Sequence, residues 1–112
     1  MQRINLGEFE ELVLLITAVL NDNAYGISVM QEIENQAGRQ INISAVHSAL
    51  DRLEQKGFLK SYMGGATGER GGRRKRLFSV TSAGAKALSD VREMRNSLYD
   101  QIPQNVFGVN FV

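Results

Sequence analysis

The stretch GGATGERGGRRKR, residues 64–76, has five glycines within nine residues and ends in four consecutive basic side chains. Short runs of strand-forming residues flank it, FLKSYM before it and LFSV after it. Two such runs joined by a glycine-rich loop are typical of a β-hairpin with a long tip. We therefore predict a hairpin that is strongly basic at its tip and along its second strand.

The glycines do not match a nucleotide-binding loop. No glycine is followed by Lys and then Ser or Thr, as a P-loop requires, and the dinucleotide fingerprint G-x-G-x-x-G is absent. The chain has no cysteine and a single histidine, His47, which excludes disulfides, thiolate metal sites and histidine-rich metal sites. No nucleophile–base pair appears either. The sequence thus predicts a protein that is not an enzyme and that uses no cofactor or metal.

The charge of the chain is unevenly distributed. Residues 56–76 hold seven basic side chains against a single acid, Glu69, so this segment carries +6 and the rest of the chain −5, given a total of +1. A basic hairpin on a mildly acidic body is typical of a protein that binds a polyanion. A solvated charged loop without a partner is the alternative.

The length and the N-terminal sequence favour one small cytoplasmic domain. The chain has 112 residues, of which 43% are hydrophobic and 22% charged. Glu8, Glu10 and Glu11 precede the first apolar run, which argues against a secretion signal. That run, residues 12–20, is shorter than the roughly 20 residues that a membrane span needs. We therefore expect no membrane association.

Apolar residues at helical spacing predict helices over residues 8–20, about 25–37, about 44–56 and about 82–101. We expect Ser44 to cap the third helix, Thr81 or Ser82 to cap the fourth, and Gly38 to end the second. The segment INI, residues 41–43, is predicted as a small strand that joins the hairpin. The predicted buried stripe of the second helix is Ile27, Met30, Ile33 and Ala37, and that of the third helix is Val46, Ala49, Leu50 and Leu53.

The fourth helix is predicted to join two chains. It is about 30 Å long at 1.5 Å per residue. Its apolar residues recur at intervals of four and three, as in a coiled-coil seam. The first helix is apolar on more than one face, which also indicates a second chain. We predict an interface of Phe9, Leu12, Ala87, Val91, Met94 and Leu98, with packing inside one chain as the alternative.

Three helices followed by a basic hairpin is the order of a winged helix-turn-helix. AYGISVMQEIE from Ala24 resembles the tyrosine-glycine element of the PadR-like family of transcriptional regulators. SAVHSALDRLEQKGFL from Ser44 resembles its G-T-L-Y-x-x-L-x-R-L-E-x-x-G-L segment, and GGRRKRLFSVTSAGAKAL from Gly71 resembles its wing and linker. His47 and Leu77 stand where the family has tyrosines, so the operator sequence cannot be carried over from relatives.

The resemblance implies a mainly α (α+β) fold: a winged helix-turn-helix with an N-terminal helix, a β-hairpin wing and a long C-terminal dimerisation helix. A DNA-binding domain would occupy residues 1–81, the dimerisation helix 82–102 and a tail 103–112. The tail is either frayed or part of the dimer. The implied function is a homodimeric, DNA-binding transcriptional regulator, and we predict a repressor. A winged-helix module that binds an acidic protein is the alternative, and a small aromatic effector is implied by resemblance alone.

The predicted DNA contacts divide between the third helix, about 44–56, in the major groove and the wing, 64–76, on backbone phosphates. The first turn of a recognition helix meets base edges, which indicates Ser44, Ala45, His47 and Ser48. Arg52, one turn further on, and Tyr25, at the start of the second helix, are expected at phosphates. A surface histidine without a role and a packed core tyrosine are the alternatives for His47 and Tyr25. The predicted wing contacts are Arg70, Arg73, Arg74 and Lys75, whereas Arg76 is expected to alternate to the other strand face.

Overall fold

The computed structural model describes residues 6–66 and 74–108 of the chain. Helices and strands follow one another in the predicted order of three helices, a hairpin and a long helix. The elements are α1 (Glu8–Leu20), a 3₁₀ turn (Asn21–Asn23), α2 (Gly26–Ala37), α3 (Ile43–Gln55), β1 (Leu59–Ala66), β2 (Arg74–Val80), α4 (Ser82–Gln101) and a second 3₁₀ turn (Gln104–Phe107).

The core lies where α1, α2 and α3 meet, and the base of the hairpin closes it. The stripe predicted for α3 is buried, which confirms that part of the pattern. The stripe predicted for α2 is wrong in part, since Ile27 is 40% exposed and Ala37 is exposed as well. The inward face of α2 instead follows Gly26, Val29 and Ile33. Other core members are Val13, Leu14, Ile16, Leu59 and Phe78.

Helix α3 begins earlier than its sequence suggests. The Asn42 side chain accepts a hydrogen bond from the backbone N–H of Ala45 at 2.8 Å, so Asn42 and not Ser44 is the N-cap. Because Ile43 is already helical, the strand predicted at residues 41–43 does not form. In the described part of the chain the sheet consists of β1 and β2 alone. Ser44 therefore belongs to the first turn of α3, where it is exposed.

The two strands form an antiparallel hairpin whose base is tied to the helices. Leu59 pairs with Val80 and Met63 with Arg76, and the register then shifts between Met63 and Ala66. The backbone N–H of Phe78 donates to the carbonyl of Ala24 at 2.8 Å. This bond links β2 to the segment that precedes α2. The base of the hairpin, which we call its stem, is therefore attached to the helical core.

Helix α4 starts close against the body and then projects from it. Thr81 caps it, as predicted, because its hydroxyl accepts from the N–H of Gly84 at 3.1 Å. A Cβ at Gly84 would lie 2.2 Å from the carbonyl oxygen of Phe58, so only glycine permits this approach. Ala87 and Val91 are buried, whereas every residue from 92 to 101 is exposed. The molecule is consequently elongated, with a longest dimension of 59 Å.

Candidate nucleic-acid interface

The first turns of α3 present a row of small polar side chains to solvent. Ser44, His47 and Ser48 are exposed and Ala45 is half-buried, on the side of the helix away from its buried stripe. Because these side chains are short, the helix axis can come close to another surface. The structure therefore brings the four residues predicted to meet base edges together on one accessible helix face.

His47 lies against the start of α2. A Cβ at Gly26 would come within 2.5 Å of Cε1 of His47 and 3.0 Å of its Nε2, so the imidazole uses the space that glycine leaves. The two residues share a small cleft of about 140 Å³ with Tyr25, Ile27, Arg76 and Phe78. The start of α2, the outer face of α3 and strand β2 thus meet at one place.

Tyr25 belongs to this cleft and is half-buried. Its backbone N–H donates to Oγ of Ser28 at 2.9 Å, which fixes the start of α2. Nζ of Lys75 lies 4.4 Å from the centroid of the Tyr25 ring, within the range of a cation–π contact. This contact connects the basic strand to the start of α2.

The basic residues of β2 have partners of different chemistry. Arg74 donates from Nε to the carbonyl of Gly64 at 2.9 Å and from Nη2 to the carbonyl of Met63 at 3.2 Å. The neighbours found for Arg74 and Lys75 are therefore neutral groups. Arg76, in contrast, donates to a carboxylate, Oε1 of Glu54, at 2.5 Å. Two predicted contacts, Arg70 and Arg73, fall outside the residues that the structure describes.

Arg52 is held by a residue of α1, a contact that no spacing in the sequence predicts. Its Nε donates to Oε2 of Glu10 at 3.0 Å, and Lys56 donates to the other oxygen of the same carboxylate. Burial raises the pKa of Glu10, but the hydrogen bonds from Lys56 and Arg52 outweigh it and leave that pKa below its ordinary value. The Arg52 side chain is 48% exposed, so half of it remains open to an outside partner.

The residues predicted at a dimer interface divide into two groups. Ala87 and Val91 are buried within the chain, and Phe9 and Leu12 pack half-buried against its core. Met94 and Leu98, further along α4, are 43% and 56% exposed. A groove of about 750 Å³ lies between α1 and α4, with Leu15, Leu88 and Tyr99 in its wall, and Met94 and Leu98 do not line it.

A three-helix core that presents one helix face beside a basic hairpin defines a winged helix-turn-helix protein. The sequence matches the PadR-like family of transcriptional regulators over residues 15–90, most of the chain. The chain belongs to this family, which confirms the resemblance of its motifs. Members of the family are transcriptional regulators and not enzymes.

Individual relatives agree with this assignment. An uncharacterised protein of Lysinibacillus sphaericus is 30% identical over 87 residues, which cover 76% of this chain and 75% of the relative. A PadR-like transcription factor from Bacteroides fragilis superimposes with a TM-score of 0.71 at 17% identity, over 82% of this chain and 84% of that one. A PadR family regulator from Clostridium difficile gives 0.69 at 20% identity, over 84% and 93%. At these identities the two structures establish the mainly α winged-helix fold alone.

Two features of residues 6–66 and 74–108 bear on partners. No single helix in these ranges is long and apolar enough to cross a membrane, and α1 and α2 reach that length only together, across a bend of 119°. The same ranges contain no group of three His, Asp or Glu side chains placed to hold a metal ion.

Proposed function

We propose that this regulator is a homodimeric repressor that places α3 of each chain in the major groove of its operator. The observation that carries the proposal is the exposed first part of α3, with Ser44, His47 and Ser48, where His47 shares a cleft with Arg76 of the hairpin. Hydroxyl and imidazole groups can donate to and accept from base edges. Ala45 adds no bulk that would keep the helix out of the groove. A dimer seated on such a site blocks it sterically, which is repression.

The wing and two helix residues supply the phosphate contacts in this proposal. Arg74 and Lys75 lie against neutral groups, so their positive charge is available to a polyanion. Arg70 and Arg73 belong to the same basic stretch by sequence. Arg52 donates to Glu10, yet its side chain is 48% exposed, so part of the guanidinium is accessible to a phosphate. Tyr25 lies at the start of α2, where a helix N-terminus favours a phosphate.

The dimer in this proposal is built from the projecting half of α4. Met94, Leu98 and Tyr99 are exposed there, and Tyr99 also lines the groove between α1 and α4 of the same chain. A projecting apolar helix beside an open groove is self-complementary under a two-fold axis, because each chain offers both halves of the contact. The two recognition helices then have to lie about 34 Å apart, one turn of B-DNA.

A selection of bound duplexes from a random pool, using the purified chain, tests the proposal. We expect a palindromic consensus with half-sites about one helical turn apart. The affinity should fall with salt at a slope of about −0.9 for each neutralised phosphate. Enrichment of no duplex, with binding to an acidic protein instead, would favour the protein-interaction module and overturn the DNA-binding proposal.

We extend the proposal to a small aromatic effector at the same interface. The groove of about 750 Å³ is of the size of small-molecule sites and has Tyr99, Leu15 and Leu88 in its wall. A ligand there would change the angle between the two α4 helices and with it the spacing of the recognition helices. Thermal unfolding of the dimer in the presence of a series of phenolic compounds checks this, and no rise in melting temperature with any of them would contradict it.

A further inference from the structure

Glu54 connects the recognition helix to both strands of the hairpin. It lies in the last turn of α3, and its Oε2 accepts from the hydroxyl of Ser61 on β1 at 2.6 Å. Its Oε1 accepts from Nη2 of Arg76 on β2 at 2.5 Å. One carboxylate therefore receives a hydrogen bond from each strand of the stem.

Arg76 is fixed from three sides at this point. Besides Glu54, Oδ1 of Asp51 lies 3.6 Å from its Nη1, one helical turn earlier on α3. Its guanidinium carbon is 5.0 Å from the centroid of the Phe78 ring, and Phe78 is a buried core residue. A planar guanidinium that meets carboxylates along its edge and a ring on its face is held in orientation as well as in position.

The charge around Arg76 sets it apart from the other basic residues of β2. Its neighbours are carboxylates, whereas those of Arg74 are backbone carbonyls and that of Lys75 is a tyrosine ring. A phosphate that approached Arg76 would meet two negative side chains beside it. Half of the Arg76 side chain is exposed, but its single positive charge is matched by two carboxylates of its own chain.

We propose that Glu54 is a positioning residue for the wing, which it holds through Ser61 and Arg76 at a fixed angle to the recognition helix. We call the contacts of Glu54 with Ser61 and Arg76 the clamp. Arg76 contributes to this clamp and does not bind a phosphate. Leu59 and Phe78 anchor the base of the hairpin in the core, but Tyr62 and Met63, further out, are 42% and 49% exposed. A two-stranded hairpin is only marginally stable by itself, so its direction beyond the base depends on contacts such as the clamp. The inference rests on the proposed DNA-binding function.

Glu54→Gln distinguishes a positioning role from a purely electrostatic one, because the two roles predict changes of opposite sign in the affinity for DNA. The substitution removes one negative charge and frees Arg76, so electrostatics alone predicts tighter binding to DNA. Loss of the clamp predicts about fivefold to tenfold weaker binding, as expected when one or two phosphate contacts of the wing are lost. Hydroxyl-radical footprints on the selected duplex should then lose protection where the wing lies and keep it in the major groove contacted by α3.

The control is Asp90→Asn, which also removes one negative charge and one ion pair, that with Lys86 on α4. Its affinity should stay within about twofold of the wild type, since it touches neither wing nor recognition helix. Arg76→Gln should reproduce the footprint of Glu54→Gln, and the double variant should be no worse than either single one.

The outcomes are distinct. Equal or tighter binding by Glu54→Gln with an intact footprint would overturn the clamp, and so would additive losses in the double variant. Failure of the wild type to bind any duplex would overturn the proposed function instead. If Glu54→Gln does not fold, Ser61→Ala decides the question, because it removes one arm of the clamp and leaves every charge in place. It should weaken binding about twofold to threefold and reduce wing protection, and unchanged protection would overturn the proposal.

Discussion

At the scale of single residues, the contact between Gly26 and His47 is the most sensitive point of the proposed interface. Gly26 is buried while His47 is exposed, so the imidazole can move aside when the glycine acquires a methyl group. Gly26→Ala should therefore leave the fold intact but displace the His47 ring, because the new Cβ would lie 2.5 Å from its Cε1.

We expect Gly26→Ala to change base preference at the same operator position as His47→Ala. The change should be about 1–3 kcal/mol if a good base contact is lost, measured by competition between selected duplexes. Gly7→Ala is the matched control, since a Cβ there meets nothing within 4 Å. If His47→Ala shifts a preference and Gly26→Ala does not, the glycine does not hold the ring for DNA.

The sequence predicts which residues lie on the exposed face of α3, but it does not predict which residues the charged side chains pair with. Periodicity alone separates Val46, Ala49 and Leu50 from Ser44 and Ser48, and the structure agrees. Arg52 pairs with Glu10, which is 42 residues away, and Arg76 pairs with Glu54, 22 residues away. Such ion pairs depend on how elements pack, and no spacing in the sequence encodes them. In the sequence, the acidic residues in the first turn of α1 indicate only a favourable interaction with the helix dipole, and not a partner on α3.

At the scale of elements, Glu10 joins α1 to α3 and makes the stability of the domain depend on pH. The folded pKa of Glu10 is lowered, so its contribution is complete above the ordinary pKa of a glutamate and is lost as the pH falls through the folded value. Glu54, whose pKa is lowered chiefly by the hydrogen bond from Ser61, contributes with the same sign.

We expect Glu10→Gln to lower the free energy of unfolding at neutral pH by about 1–2 kcal/mol, because two charged donors lose a charged acceptor and only one amide oxygen remains to accept from them. The variant should also lose less stability than the wild type when the pH is lowered below about 4.5. Urea titrations at neutral and acid pH measure both effects. Glu8→Gln, whose ion pair with Arg39 is more exposed, should change stability by less than about 0.5 kcal/mol. Equal effects of the two substitutions would contradict a special role of Glu10.

Elements themselves were predictable where one pattern dominates. The bounds expected for α1 and α4 agree with the structure because long apolar periodicity and the Thr81 cap point to the same answer. The strand predicted at residues 41–43 was wrong. Its β-branched residues favour a strand locally, but Asn42 caps α3 and Ile43 is the first residue of that helix. The exposure of Ile27 could not be predicted from the sequence either, because contacts with other elements determine which face of α2 is buried.

At the scale of the whole molecule, the structure separates the residues that build the chain from those free to join two chains. Val91 is 4% exposed within its own chain, so a charge there would unfold the monomer whether or not a dimer exists. Leu98 is 56% exposed on the projecting half of α4. A substitution at Leu98 therefore tests the dimer without disturbing the core of the domain.

We expect Leu98→Glu to keep the melting behaviour of a folded domain and to become monomeric at micromolar concentration. Two-fold symmetry would place two carboxylates at the apolar contact, and burying them unpaired should weaken association by about 100-fold or more. Palindromic duplexes should then be bound no better than single half-sites, while the wing and α3 stay unchanged. Glu93→Gln, about 140° around the helix from Leu98 at roughly 100° per residue, is the control and should remain dimeric. Sedimentation of all three chains measures this, and a wild type that sediments as a monomer, or a Leu98→Glu variant that still dimerises, would contradict the interface on α4.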